Sequence, residues 1–196
     1  MITRLRVLPA VALLIFSMAA SGCDDDQAGP EKADKAVKNT LTWDLSRGHT
    51  TRDVRWPNKL DAFELHGGVR ADVTFPGGKK LTARFEKAMG LREGEVIRTL
   101  DFFTPATTTE EAYKQAKRLG EQWDIKLGNI DAWYKRRLQQ RKAGKEDYGD
   151  TAFTGGPASE PLGGPGGPAP ILEMRNSFSA AHPVVVNLSF HWSRQG

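Results

Sequence analysis

VRADVTFPGGKKLTARF, residues 69–85, contains two runs in which apolar and polar residues alternate. An alternation with a period of two indicates β-strands that bury one face. The runs meet at Pro76-Gly77-Gly78-Lys79, a sequence typical of a turn. This stretch therefore predicts two half-buried strands joined by a turn. Their apolar faces are formed by Val69, Ala71, Val73 and Phe75 and by Leu81, Ala83 and Phe85.

Strands are also predicted on both sides of this hairpin. The apolar run EVIRTLDFF, residues 95–103, is expected to end at Thr104, because Pro105 restricts the backbone of the residue before it. Two further runs with a break at residues 180–183 predict a C-terminal hairpin. Residues 41–65 lack a clear pattern and predict a mixture of loop and short strand. The apolar faces of the C-terminal hairpin are formed by Leu172, Met174 and Phe178 and by Val184, Val186, Leu188, Phe190 and Trp192.

Two helices are predicted between these groups of strands. Thr108 and Glu111 have the spacing of a capping box, which favours a helix start. A second helix is expected to begin at Asn129 and to end near Gly144. The Leu127-Gly128 junction makes the pair a helical hairpin. The residues expected to face inward are Ala112, Ala116, Leu119 and Trp123 in the first helix and Ile130, Trp133, Tyr134 and Leu138 in the second.

The order of strands, helices and strands predicts an α+β fold. We expect a mostly antiparallel sheet packed on one face by the helical hairpin. Residues 41–196 are long enough for a single domain of this kind. Residues 148–170 are rich in glycine and proline and predict a flexible loop within it.

The N-terminus has the features of an export signal. Arg4 and Arg6 precede an apolar run, residues 7–20, which is followed by small residues. This layout is typical of a cleaved signal peptide, here residues 1–22. Cys23 is the only cysteine in the chain, so the domain that follows has no intrachain disulfide and no thiolate ligand.

The residues around Cys23 resemble the lipobox of bacterial lipoprotein precursors, in which small residues precede a cysteine that is lipidated and becomes the first residue. The match is Ala20-Ser21-Gly22-Cys23, and it covers the signal alone. Ala20 departs from the family, which more often has leucine there. In lipoproteins of enteric bacteria an aspartate after the cysteine marks retention in the inner membrane. The resemblance therefore implies lipidation of Cys23 and, through Asp24, a place on the periplasmic face of the inner membrane.

A polar segment connects this cysteine to the predicted domain. Residues 23–40 comprise Cys23 and a charged stretch with almost nothing to bury, which predicts a flexible tether. A coil of this length spans about 20–25 Å. The domain is therefore expected to stay close to the membrane that holds its lipid.

The composition argues against several classes of protein. Removing Arg4 and Arg6 with the signal lowers the formal charge from +4 to +2, so no nucleic-acid partner is expected. No P-loop, Rossmann glycine pattern or G-x-S-x-G motif is present, and no cofactor is expected. The four histidines lack the spacing of a helical zinc motif, so no metal ligand is assigned. A metal site assembled only by the fold stays an open alternative.

Two polar clusters are candidate sites. Asp44, His49 and Asp53 could supply an acid and a base in a loop, or form a solvated polar loop. The second cluster lies on the second helix, between residues 133 and 145, where no acidic residue occurs. It is either a solvated helix face or a patch for anionic lipid or an acidic protein partner. Its members are Lys135, Arg136, Arg137, Arg141 and Lys142.

These features predict a lipid-anchored cell-envelope protein that acts by binding, with another envelope protein as its partner. An immunity or inhibitor lipoprotein is one form that such a binder takes. One alternative is a small envelope hydrolase or metal-dependent enzyme with a site assembled by the fold. Another is a structural or assembly component of an envelope complex.

The lipobox resemblance generates a direct test. Cys23→Ser should abolish incorporation of a labelled fatty acid, because the sulfur that carries the first acyl chain is lost. Metabolic labelling with radioactive palmitate measures this, and Asp24→Ser serves as the control that keeps the cysteine. Equal labelling of the Cys23→Ser variant and the parent chain would refute lipidation at this residue.

Overall fold

A computed structural model describes residues 39–145, 152–153, 160–179 and 182–193. The predicted signal, Cys23 and Asp24 lie outside these residues. The helices are α1 (Thr109–Trp123) and α2 (Gly128–Lys142). The strands are β1 (Thr40–Asp44), β2 (Ala62–Thr74), β3 (Lys80–Glu93), β4 (Val96–Ala106), β5 (Ala152–Phe153), β6 (Pro168–Ser179) and β7 (His182–Trp192).

The described strands form one seven-stranded sheet in the order β1-β2-β3-β4-β7-β6-β5. β1 and β2 are parallel, and every other neighbouring pair is antiparallel. α1 packs against β4, β6 and β7, and α2 packs against α1 and β5. The predicted α+β fold, a mostly antiparallel sheet with a helical hairpin on it, is confirmed.

The hairpin of β2 and β3 is sharply bent. Gly67 and Gly68 interrupt the pairing of β2 with β3 and have φ angles of 80° and 86°, which favour glycine. Trp43 of β1 pairs with Val73, ten residues along β2 from Phe63, a distance of about 33 Å on a straight strand. The Trp43 and Phe63 ring centroids are nevertheless 5.8 Å apart. The bulge therefore folds one half of the hairpin toward the other.

The chain after β1 is hydrogen-bonded to the start of β4. Thr51 N donates to Glu95 O at 2.7 Å, and Ile97 N donates to His49 O at 2.8 Å. Thr50 forms a β-bridge with Val96 at the start of β4. The β1 side of the sheet is thereby hydrogen-bonded to the beginning of β4, which encloses the core between them.

An aromatic cluster connects the hairpin to α1. Phe75 lies 4.1 Å from Phe190 and 5.7 Å from Trp123, measured between ring centroids. All three side chains are buried. Because Phe75 directly follows β2 and Trp123 ends α1, their contact fixes the C-terminal end of the helix beside the β2–β3 turn.

The helix boundaries follow the predicted signals. Thr108 Oγ1 accepts a hydrogen bond from Glu111 N at 3.0 Å, as in a capping box, and the Glu111 carboxylate accepts from the backbone and the hydroxyl group of Thr107. The inward residues predicted for α1 are all buried. In α2, Ile130 and Trp133 are buried, whereas Tyr134 and Leu138 are half-buried.

The predicted end of the third strand at Thr104 is wrong. β4 continues through Pro105 to Ala106, and Pro105 pairs with Val185 of β7. Pairing between β3 and β4 extends only from Glu93 to Lys87, whose partner is Phe103. Pairing with β7 continues to Ala106, because the extended backbone that Pro105 favours at Thr104 is compatible with a strand.

The predicted flexible loop at residues 148–170 is also too long. β6 begins at Pro168, and Leu162 is buried with a relative exposure of 8%. Leu162 N donates to Pro168 O at 3.0 Å, and a side chain at Gly163 would collide with Pro76 of the β2–β3 turn. The glycines let this backbone lie close against the turn, which a composition-based reading mistakes for disorder.

The bent hairpin predicts a steric limit at Gly90. The Phe63 ring lies over the Gly90 backbone in the space that a Cβ atom would occupy, and Trp43 and Trp56 hold that ring in place. Gly90→Ala should lower the free energy of unfolding by about 1–3 kcal/mol through overpacking. Thermal unfolding should show a fall of roughly 3–10 °C.

The matched control is Gly128→Ala, because a Cβ atom there meets nothing within 4 Å. At the start of α2 this substitution should be neutral or slightly stabilising. A Gly90→Ala variant as stable as the control would contradict the close packing of Phe63 on β3.

Candidate functional site

The sheet splits between β3 and β4. The two strands pair from Lys87 to Glu93 of β3, but residues 80–86 of β3 have no partner on that side among the strands that the structure describes. The last paired residue, Lys87, also pairs with His66, next to the Gly67–Gly68 bulge. The bend in the hairpin thus carries the first half of β3 away from β4. One edge of β3 is left open there, although β3 is an interior strand of the sheet.

The backbone groups on this edge belong to alternate residues. Phe75 N donates to Lys79 O, and Arg70 N donates to Asn39 O next to β1. Arg70 therefore directs its backbone groups toward β1, and its cross-strand partner Arg84 directs its own toward the split. The same alternation places the N–H and C=O of Thr82 on this edge. These are hydrogen-bonding groups that a neighbouring strand would normally occupy.

A cleft of about 290 Å³ lies along this edge. α1 forms the facing wall with a stripe of side chains at helical spacing. The inward side chains of β3 supply the apolar part of the cleft, and the exposed residues of β3 and α1 supply its polar part. Its lining consists of Leu81, Thr82, Ala83, Arg84, Phe85, Thr104, Gln115, Arg118, Leu119 and Gln122.

The lining carries positive charge and no negative charge. Arg84 and Arg118 are its only charged residues, and both are exposed. Among the described residues neither side chain has a hydrogen bond or an ion pair. Arg70 lies directly across from Arg84 on β2, so two like charges face each other in the ladder. A pair of this kind opposes folding and favours an anion beside it.

Gln115 adds an unsatisfied acceptor to the cleft. Its Oε1 atom is buried and has no hydrogen-bond partner among the described residues, while its Nε2 donates to Glu111 at 3.5 Å. A buried amide oxygen without a partner costs free energy, because water is removed without replacement.

Lys79 holds α1 in position at one end of the cleft. Its Nζ donates to Gln122 O at 3.0 Å and lies 5.6 Å from the Trp123 ring centroid. Gln122 is in the last turn of α1, where backbone carbonyls lack helical partners. The contact links the β2–β3 turn to the helix end, so the width of the cleft depends on this turn.

The basic residues predicted on the second helix do not share one role. Arg141 forms an ion pair of 2.6 Å with Glu110 of α1, and the hydrogen bond from Arg141 lowers the pKa of that carboxyl group. Arg137 donates to Asn176 of β6 at 2.9 Å and lies over the Trp133 ring. Both arginines therefore hold α2 against its neighbours. Arg136 is exposed and makes contacts of its own.

Lys135 and Lys142 are exposed and lie two helical turns apart, on the same side of α2. They are the members of the predicted patch that point outward without a described partner. Binding of anionic lipid or of an acidic protein by this helix stays a prediction.

In the acid–base cluster predicted after β1, His49 and Asp53 interact electrostatically, but no hydrogen bond joins them in the described residues. Asp44 accepts from Ser46 N, and Asp53 accepts from Thr50 at both the backbone and the hydroxyl group, and these bonds lower the pKa of each carboxyl group. The His49 ring stacks on Trp192 at 5.4 Å, and burial lowers its pKa. The carboxylates therefore shape the loop, which agrees with the polar-loop alternative.

A second polar cluster lies on the sheet face opposite the helices. Ser189 Oγ donates to Asp101 Oδ1, and Asn187 Nδ2 donates to Ser189 at 3.0 Å and to Glu173 at 3.3 Å. Arg175 forms an ion pair of 2.5 Å with Glu173. The cluster contains no hydrogen bond between a described histidine side chain and Ser189. Its bonds link β4, β6 and β7 across the sheet.

Neither a metal-binding cluster nor a membrane-spanning helix is found in the described ranges. In these ranges, no three His, Cys, Asp or Glu side chains come together so that they could hold a metal ion. Neither α1 nor α2 has the length and apolarity to cross a bilayer. Comparisons of this chain with protein families, with characterised proteins and with solved structures found no match.

Sequence reasoning missed the cleft, although one signal for it was present. Arg70 and Arg84 each lie seven residues from Gly77, so a hairpin centred on that turn places them opposite each other. Arg118 and Gln115 gave no such signal, because their position depends on how α1 crosses the split sheet. The split itself depends on a register shift that no local pattern reveals.

The facing arginines generate a stability prediction. Arg84→Glu should raise the free energy of unfolding by about 0.2–1 kcal/mol, because it replaces a like-charge pair with an opposite-charge pair across from Arg70. The gain should shrink as salt is added. Urea unfolding at low and high salt measures both effects.

Lys59→Glu is the control, since it changes the net charge equally at an exposed residue that has no cross-strand arginine. It should leave stability nearly unchanged. A destabilised Arg84→Glu variant would mean that Arg84 serves the fold and not a ligand.

Proposed function

We propose that this chain is a lipid-anchored cell-envelope protein that binds another protein at the cleft between β3 and β4. The observation that carries the proposal is the unpaired edge of β3 beside two arginines without partners. Folded proteins usually cover or blunt such an edge, because it offers backbone groups to any passing strand. The open edge of β3 beside the two arginines is therefore suited to binding a specific partner.

The N-terminal segment supports the cellular side of the proposal. The resemblance of Ala20-Ser21-Gly22-Cys23 to a lipobox favours a lipid at Cys23, and Asp24 favours the periplasmic face of the inner membrane. A tether of about 20–25 Å would keep the cleft within reach of other proteins at the same membrane. Immunity and inhibitor lipoproteins work in this way, by binding an envelope partner from a fixed anchor.

Site-specific crosslinking in intact cells tests the proposal. A photo-crosslinking amino acid in place of Thr82 should trap a discrete partner, because Thr82 lies on the free edge. The same amino acid in place of Lys59, an exposed residue outside the cleft lining, should not trap it. Immunoblotting of the full-length chain reads out the crosslinked band.

Charge reversal supplies the second control. Arg84→Glu combined with Arg118→Glu should remove the Thr82 crosslink while the amount of membrane-bound protein stays the same. The proposal fails if Thr82 and Lys59 give the same products. It also fails if the band persists in the doubly reversed variant.

A further inference from the structure

We infer that the partner enters this cleft as an extended segment with acidic side chains, which pairs with β3 as an added strand. The inference rests on the proposed function and specifies the chemistry of its partner. The contact region is the unpaired run of β3, residues 80–86, together with the facing side of α1.

The free backbone groups require an extended partner. Thr82 and Arg84 point their N–H and C=O groups toward the split, with the spacing of every second residue that an antiparallel or parallel strand matches. A strand placed there would sit about 4.7–4.9 Å from β3. Binding by strand addition therefore satisfies groups that the protein itself leaves open.

The charges require acidic side chains on that segment. Arg84 and Arg118 lie on opposite walls of the cleft, and a guanidinium group binds a carboxylate through two parallel hydrogen bonds. Arg70 adds positive potential behind Arg84. Asp72, on the same face, already accepts a hydrogen bond from Thr82, and no described ion pair joins Glu86 to Arg84. A carboxylate from outside thus finds cations that no residue of the described chain neutralises.

The shape of the cleft limits the length and pattern of the segment. A volume of about 290 Å³ is at the lower end for small-molecule sites, so it suits one or two side chains. Side chains of a strand alternate between faces. An apolar residue between two acidic ones could meet Leu81, Phe85 and Leu119, while its neighbours point to the face of β3 that carries Arg84.

A synthetic peptide tests this chemistry on the purified full-length chain in detergent micelles. The probe is acetyl-Glu-Val-Glu-Val-Glu-amide with a fluorescent label, and its anisotropy is followed as protein is added. Saturable binding is expected, and it should weaken as salt rises because charge pairs are screened. A peptide with lysine at each glutamate position should bind at least about tenfold more weakly.

Protein and peptide variants separate charge from strand pairing. Arg84→Glu should weaken binding of the acidic peptide by at least about tenfold, the loss expected for one charge-assisted hydrogen-bonded pair. Lys59→Glu, with the same change in net charge, should leave it within about twofold. An acidic peptide that is N-methylated at alternate residues keeps its carboxylates but cannot pair as a strand, so it should also lose about tenfold in affinity.

Three results would overturn the inference. The proposed acidic character of the segment is wrong if the acidic and basic peptides bind equally well, or if Arg84→Glu does not change the affinity of the acidic peptide. Strand addition is wrong if the N-methylated peptide binds as tightly as the parent peptide. The site itself is wrong if no peptide binds up to its solubility limit. A Thr82 crosslink in cells combined with any of these results would keep the proposed function and reject this partner chemistry. If Thr82 gives no specific crosslink in the chain with both arginines intact, the proposed function and this inference are both rejected.

Discussion

The bend at Gly67 and Gly68 is the constraint on which the rest of the structure depends. Both residues have positive φ angles, a conformation that costs residues with a side chain roughly 1–2 kcal/mol each. The bend brings Phe63 back to Trp43 and closes the aromatic core around Trp56. It also ends the pairing of β3 with β4 at Lys87. The core and the cleft are therefore two results of the same backbone irregularity.

The cleft combines features that each reduce stability. An open strand edge, a like-charge pair and a buried amide oxygen without a partner all cost free energy in the isolated protein. The contacts that surround the cleft are by contrast well satisfied, including the Phe75–Trp123 ring contact and the hydrogen bond from Lys79 to Gln122. A rigid frame around unsatisfied groups is the arrangement expected of a binding site that is formed in advance.

Much of the local structure could be predicted because it depends on short-range rules. The alternation of residues 69–85 needed only the period of a strand, and the Thr108 cap needed only the spacing of Thr108 and Glu111. The errors came where a distant segment decides the outcome. Pro105 stays inside β4 because pairing with β7 continues to Ala106, and Leu162 is buried because its segment packs against the β2–β3 turn. The basic residues of α2 were found by composition, but Arg137 and Arg141 are committed to Asn176 and Glu110.

The sequence by itself determined the kinds of elements, their order and the faces they bury, because periodicity and capping act within a few residues. It also supplied the lipobox resemblance and the charge of each segment. The tertiary structure alone decided where the sheet bends, which edge stays open and which arginines lie beside it. The reason is physical: strand register and helix placement are set by contacts between residues that are far apart in the chain, such as Trp43 with Phe63 and Phe75 with Phe190. No window of sequence contains both partners of those contacts.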